Sequence, residues 1–282
     1  MDDAAGRANA DQVSHWNGPG GSAWIDARET LDAMFAGFEP ILATSVPEGF
    51  SGRVLDVGCG TGATALAVAR RLDANGGCVG LDISEPMLAV ARQRAEREGL
   101  PATFVAGDAQ THAFEADAFD AIVSRFGVMF FSDPQAAFAN LRHATKPGGA
   151  LRVAAWRHPK ENPFMTVGMR AAAPFLPERP SFDPDAPGQF AFADGEKVRR
   201  ILDASGWSGI AVEPIDVACR FPAVDLTDYL MRLGPLGRLV QDLDEATRGK
   251  ALAAARDAYQ PFIDGGEVRY AAACWLVEAV AP

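Results

Sequence analysis

The stretch Val54-Leu55-Asp56-Val57-Gly58-Cys59-Gly60-Thr61-Gly62 (VLDVGCGTG) puts a glycine at every second position directly behind an apolar run. Glycine has no Cβ, so it turns the chain freely and lets another group lie against the backbone. RVLDVG reads as a strand meeting a turn, and the alanine-rich residues 61–72 read as the helix that leaves it. A dinucleotide site asks for G-x-G-x-x-G opening a helix, so that pyrophosphate rests on the helix N-terminus. Here the spacing is G-x-G-x-G, with Ala63 where the third glycine would fall. Asp56, two residues before Gly58, opposes a phosphate and favours a cation such as an ammonium or a sulfonium. No G-x-x-x-x-G-K-[ST] run occurs, so a P-loop is excluded.

Working outward, strands and helices alternate. CVGLDI ends at Asp82 and Ile83; Ser84 is the expected N-cap of a helix with Pro86 in its first turn and Gly99 at its end. ATFVAG stops at Asp108 and FDAIVS at Ser124. Asp133-Pro134 opens a helix to about residue 144, and Pro147-Gly148-Gly149 turns into ALRVAAW. This rhythm predicts an α/β fold: a Rossmann-like doubly wound sheet, mostly parallel with an antiparallel last strand, plus a mainly helical cap. In such sheets the ligand sits beyond the carboxyl ends of the strands, where strand order reverses. Gly58, Asp82, Asp108 and Ser124 all fall at strand ends.

The flanks divide as follows. Residues 1–50 form an N-terminal arm and cap helices. The first dozen are a loose polar arm, NGPGGSA is a turn between Trp16 and Trp24, and one amphipathic helix runs from about Asp26 to Thr44. The core spans 51–156. A cap insertion rich in Pro and Phe covers 157–193, and the core continues over 194–218 with a helix capped by Asp194. A helical cap covers 219–265, and a final core strand covers 266–282.

Composition narrows the function. The formal net charge is −11 with no basic run, which disfavours nucleic acid, whose binders neutralise phosphates with Lys and Arg. Cys59, Cys78, Cys219 and Cys274 never pair as C-x-x-C and sit among apolar or small residues, so buried reduced thiols are expected and a metal site is not. No apolar run approaches the ~20 residues of a membrane span, and the N-terminus lacks an apolar signal segment, so a cytoplasmic protein is expected. Hydrolase signatures such as G-x-S-x-G and H-E-x-x-H are missing.

VLDVGCGTG, LDIS, AGDAQ, FDAIVSRFGVMFFSDP and LRHATKPGGAL, in that order and spacing, resemble the class I S-adenosylmethionine-dependent methyltransferases. The likeness is strongest to the ubiquinone/menaquinone-type enzymes that act on small molecules, and it covers residues 53 to about 155. It implies S-adenosyl-L-methionine as cofactor, with S-adenosyl-L-homocysteine as product. Gly58, Cys59 and Gly60 would close on the methionine portion, whose amino end Asp56 would help hold. Asp82 would accept from the ribose hydroxyls, Ile83 and Met87 would pack on adenine, and Gly107, Asp108 and Ala109 would meet the adenine edge. Ser124 and Arg125 would lie beside the methionine portion and the acceptor, and Trp24 either packs in the core or covers the cofactor. Phe126, Phe130 and Phe131 read more readily as core than as an acceptor platform.

Methyl transfer is an in-line displacement that depends on positioning, and a general base is needed only where the nucleophile must shed a proton. Of four histidines, His112 and His143 fall at expected surface positions, leaving His158 and His15 as candidate bases. The expected acceptor is a small, hydrophobic or aromatic molecule, on a monomer or dimer. Two other readings stay open: a non-catalytic nucleoside-binding sensor or partner module, and a nicotinamide-dependent oxidoreductase.

Overall fold

The computed structural model describes residues 9–177, 183, 186–241 and 243–282. Four short helices lead in: α1 (Ala10–Trp16), α2 (Pro19–Asp26), α3 (Arg28–Phe35) and α4 (Phe38–Ala43). The core follows as β1 (Arg53–Val57), α5 (Ala63–Ala69), β2 (Gly77–Asp82), α6 (Glu85–Glu98), β3 (Ala102–Ala106), β4 (Phe119–Arg125), α7 (Pro134–Ala144) and β5 (Thr145–Trp156). Beyond it come α8 (Pro163–Ala172), α9 (Gly195–Ala204), β6 (Ser208–Pro222), α10 (Leu226–Arg232), α11 (Pro235–Leu239), α12 (Glu245–Ala258), β7 (Ile263–Asp264) and β8 (Glu267–Val280).

The sheet order is β3-β2-β1-β4-β5-β8-β6, with β7 paired to β8. Strands β1 to β5 are parallel; β8 runs antiparallel to both β5 and β6. The expected antiparallel last strand is present. The chain moves outward from β1 to β3, then returns to place β4 on the other side of β1. Strand order therefore reverses between β1 and β4, which opens a crevice beyond Val57 and Arg125.

Side-chain alternation divides the core into two layers. Leu55 and Val57 of β1 face one apolar cluster with Leu81, Ile122 and Val153; Val54 faces the other with Leu66, Val68, Leu88 and Phe104. A strand buried on both faces between helix layers needs this near-continuous apolar run. The helices start where their caps stand. Ser84 Oγ accepts from Met87 N–H at 3.5 Å, and Asp133 Oδ1 accepts from Ala136 N–H at 2.9 Å. All four cysteines are buried free thiols.

Four local expectations need correction. The helix expected from about Asp26 to Thr44 is two, α3 and α4, parted at Ala36-Gly37. Pro40 lacks the N–H that would bond the Ala36 carbonyl, and its ring would clash there. The NGPGGSA run is not a turn throughout. Pro19 starts α2 at a first-turn position, and Gly21 lies so close to α1 that a Cβ would stand 2.0 Å from the Trp16 carbonyl oxygen. Residues 10–12 of the expected loose arm belong to α1. Residues 219–222, expected in the second cap, continue β6: Val217, Cys219 and Phe221 are buried while Ala218, Arg220 and Pro222 are exposed, the period of two of a strand. The first eight residues of the arm, and 178–182 and 184–185 of the first cap, lie outside the described residues.

Candidate active site

The crevice at the strand tips is a cavity of about 400 Å³, within the range of small-ligand sites. One end is polar and backbone-rich. At Gly58 the chain leaves β1 with φ +66°, where L side chains are strained, and Gly60 follows at φ +54°. The Gly60 N–H donates to Asp82 Oδ2 at 2.7 Å, and the Ser84 N–H donates to Asp82 Oδ1 at 2.9 Å. The glycine loop and the tip of β2 are thus tied through one carboxylate. Burial raises the Asp82 pKa, and the two amides oppose that shift. A carboxylate offers about four acceptor positions, so two remain for a ligand's hydroxyls.

At the tip of β3, Asp108 Oδ1 accepts from the Gln110 N–H at 2.9 Å. Gln110 Oε1 in turn accepts from the Asp133 N–H at 2.6 Å, which ties this loop to the start of α7. Above the slot, Met87 Sδ and Trp24 Nε1 would each stand 3.8 Å from a Cβ on Gly60.

The N-terminal helices are fastened over this end. Asn17 Nδ2 donates to the Ile83 carbonyl at 2.8 Å, and its Oδ1 accepts from the Glu85 N–H at 3.1 Å. Ser84 Oγ donates to the Trp16 carbonyl at 2.6 Å. Asn17 sits one residue past α1, in the gap before α2, where a short side chain reaches the turn below.

The other end of the cavity is aromatic. Phe126 and Trp156 stack at 4.6 Å with planes 15° apart, and Phe35 meets both edge-on. Trp16 contacts Trp24 and Phe130 in edge-to-face geometry, and Met129, Met165, Gln189, Tyr229 and Leu233 complete the wall.

The structure gathers most of the residues singled out in the sequence. Gly58, Cys59, Gly60, Asp82, Ile83, Met87, Gly107, Asp108, Ala109, Arg125, Trp24 and His15 all line the cavity. Three do not. Asp56 has the parity of Val54, so its side chain enters the layer of α5 and α6, fully buried. Burial pushes the carboxyl up to about 8, against the opposing pull of Arg125 and of the Ala65 N–H in the first turn of α5. Ser124 is buried as a brace: its Oγ donates to the Val57 carbonyl at 2.7 Å and accepts from the Gly127 N–H at 3.2 Å. His158 is exposed and caps the turn after β5, its Nδ1 accepting from the Lys160 N–H at 3.1 Å.

Sequence reasoning missed Trp156, although it ends β5 and so obeys the same strand-tip rule as Ser124. Phe126, expected as core, is buried yet forms part of the cavity wall. Gln189, Met165 and Tyr229 come from the caps and carry no local signal.

A reversed strand order, a glycine loop, and acidic tips on two neighbouring strands define a nucleoside-binding α/β protein. The family described as "Methyltransferase domain" matches residues 54–149. A demethylmenaquinone methyltransferase from Renibacterium salmoninarum is 35% identical over 167 residues, 56% of this chain and 68% of the relative. An aklanonic acid methyltransferase, DauC, from Streptomyces sp. (strain C5) is 34% identical over 137 residues, 48% of this chain and 56% of the relative. The chain spans 54% of the length of an uncharacterised protein from Mycobacterium bovis and 72% of that of a demethylmenaquinone methyltransferase from Thermobifida fusca, so it covers only part of such relatives. The solved structure of the YcgJ protein from a Bacillus species aligns with a TM-score of 0.54 at 19% identity, over 87% of this chain and 97% of the other, a likeness of fold. The chain belongs to the class I S-adenosylmethionine-dependent methyltransferases of the menaquinone type.

Proposed function

We propose that the protein transfers a methyl group from S-adenosylmethionine to a small, apolar, aromatic acceptor held against Phe35, Phe126 and Trp156. The observation that carries this reading is the continuity of the cavity. One chamber runs from the acidic tips of β2 and β3 to an aromatic wall. The relatives are named for demethylmenaquinone and aklanonic acid, both small organic compounds, which accords with that chamber.

The residues present fit the cofactor. Asp82 keeps acceptor capacity for two ribose hydroxyls, and Ile83 and Met87 offer an apolar face beside Asp108 and Ala109 for a base. The backbone at Gly58 and Gly60 is bare enough to lie against an amino-acid chain. When bound, the cofactor supplies a methyl carbon on a positively charged sulfur. The protein's task is to orient the acceptor and to exclude water. Holding two partners in line supplies about 7–11 kcal/mol of a barrier, so an enzyme of this kind can work by placement. Where the acceptor is a hydroxyl or a carbon acid, His15, which lines the cavity, is the candidate base.

A panel of quinols, phenols and amines assayed with methyl-labelled cofactor tests the reading. Turnover on at least one aromatic member is expected, and methylation confined to protein or nucleic acid would overturn it.

A further inference from the structure

Arg125, the last residue of β4, is a cation in an apolar wall. It lines the cavity, yet its guanidinium makes no hydrogen bond and no ion pair with any described residue, and Nη1 is shut off from solvent. The residue is half-buried, and a charged donor left with neither water nor a partner is unfavourable until a ligand completes it.

The nearby carboxylates do not supply the partner. Asp32 is engaged by Arg94 at 2.8 Å. Glu39 and Asp56 both act on Arg125 through space, but neither comes within ion-pair distance of it. The guanidinium carbon lies 5.4 Å from the centre of the Phe35 ring. Phe35 packs on Phe126 and Trp156, so the cation stands beside the aromatic end of the cavity.

We propose that the methyl acceptor carries an anionic oxygen, as a carboxylate or an ionised acidic hydroxyl, and that Arg125 binds it. The inference rests on the reading of the cavity as a joint cofactor and acceptor site, and it narrows the acceptor from any aromatic compound to an acidic one. A guanidinium matches a carboxylate through two parallel N–H donors, which fixes the plane of the acceptor as well as its position. The cation–π contact with Phe35 holds the fork at the wall while it waits for the anion.

The test uses the full chain saturated with S-adenosylhomocysteine and reads binding of matched pairs by calorimetry. The pairs are benzoate and benzamide, 2-naphthoate and 2-naphthamide, and anthracene-2-carboxylate and its carboxamide. At least one acid is expected to bind tenfold or more tightly than its amide. Arg125→Gln should abolish that preference and Arg125→Lys should keep part of it. If no acid outperforms its amide, or if the preference survives Arg125→Gln, the inference is wrong. Loss of S-adenosylhomocysteine affinity in Arg125→Gln, with no acid preference in the wild type, would assign the guanidinium to the carboxylate of the cofactor instead and would also overturn it. Should Arg125→Gln fail to fold, the wild-type comparison and Arg125→Lys decide. A wild-type protein that binds no S-adenosylhomocysteine would refute the underlying reading of the site, an outcome distinct from binding it without acid preference.

Discussion

Gly58 and Gly127 touch backbone to backbone: a Cβ built on Gly58 would stand 2.6 Å from the Gly127 Cα, and one on Gly127 would stand 2.8 Å from the Gly58 Cα. The loop after β1 and the turn after β4 close the crevice floor through this contact, and neither position has room for a methyl group. Gly58→Ala adds a clash to a positive φ, whereas Gly148, at φ +79°, has nothing within 4 Å of its would-be Cβ. Gly148→Ala should therefore cost about 1 kcal/mol of stability from backbone strain and leave cofactor affinity unchanged. Gly58→Ala should cost more stability and weaken S-adenosylhomocysteine binding by at least tenfold. Urea unfolding and calorimetry on both variants check this.

Asp82 holds the glycine loop and is positioned for ribose, so its charge serves twice. Asp82→Asn keeps the size but replaces one acceptor oxygen with a donor that faces an N–H. Hydrogen bonds to charged groups contribute about 1.5–3 kcal/mol, so S-adenosylhomocysteine affinity should fall roughly tenfold to a hundredfold. A change below twofold would separate Asp82 from cofactor recognition.

Asp56 makes stability depend on pH. Burial raises its carboxyl from the ordinary 3.8 to about 8 in the folded protein, so between those pH values the folded state holds a proton that the unfolded state has released. Stability from this group is full below the unfolded pKa and is lost as pH rises toward 8. Asp56→Asn removes that dependence. The stability of the variant relative to wild type should rise steadily from pH 4 to pH 8, with a slope no steeper than about 1.4 kcal/mol per pH unit. A pH-independent difference would show that Asp56 stays ionised.

The two histidines singled out as bases are separated by position. His15 lines the cavity, whereas His158 is exposed at the turn after β5. With an acceptor that must lose a proton, His15→Gln should lower kcat by about 10²–10⁴-fold, the usual range for a lost general base. His158→Ala should leave kcat unchanged. Equal effects from both would remove His15 from the chemistry.

The strand tips were legible because each rests on a short local pattern, an apolar run ended by Gly or Asp. Asp56 shows where that legibility stops: it sits in the same motif, but the alternation of β1 turns its carboxyl into the helix layer rather than the crevice. Counting parity from Val54 would have placed it correctly. The break at Ala36-Gly37 was readable from Pro40. The aromatic wall was not, because Phe35, Met165, Gln189 and Tyr229 arrive from segments far apart in sequence and meet only through packing of the caps on the sheet.

The central claim is that the tips of β1, β2 and β3 hold a phosphate-free, S-adenosyl nucleoside. Titration calorimetry of the intact chain with S-adenosylhomocysteine, and separately with NADH, tests it most directly. One saturable site for S-adenosylhomocysteine and no binding of NADH is the predicted result; the reverse, or no heat from S-adenosylhomocysteine, would contradict it.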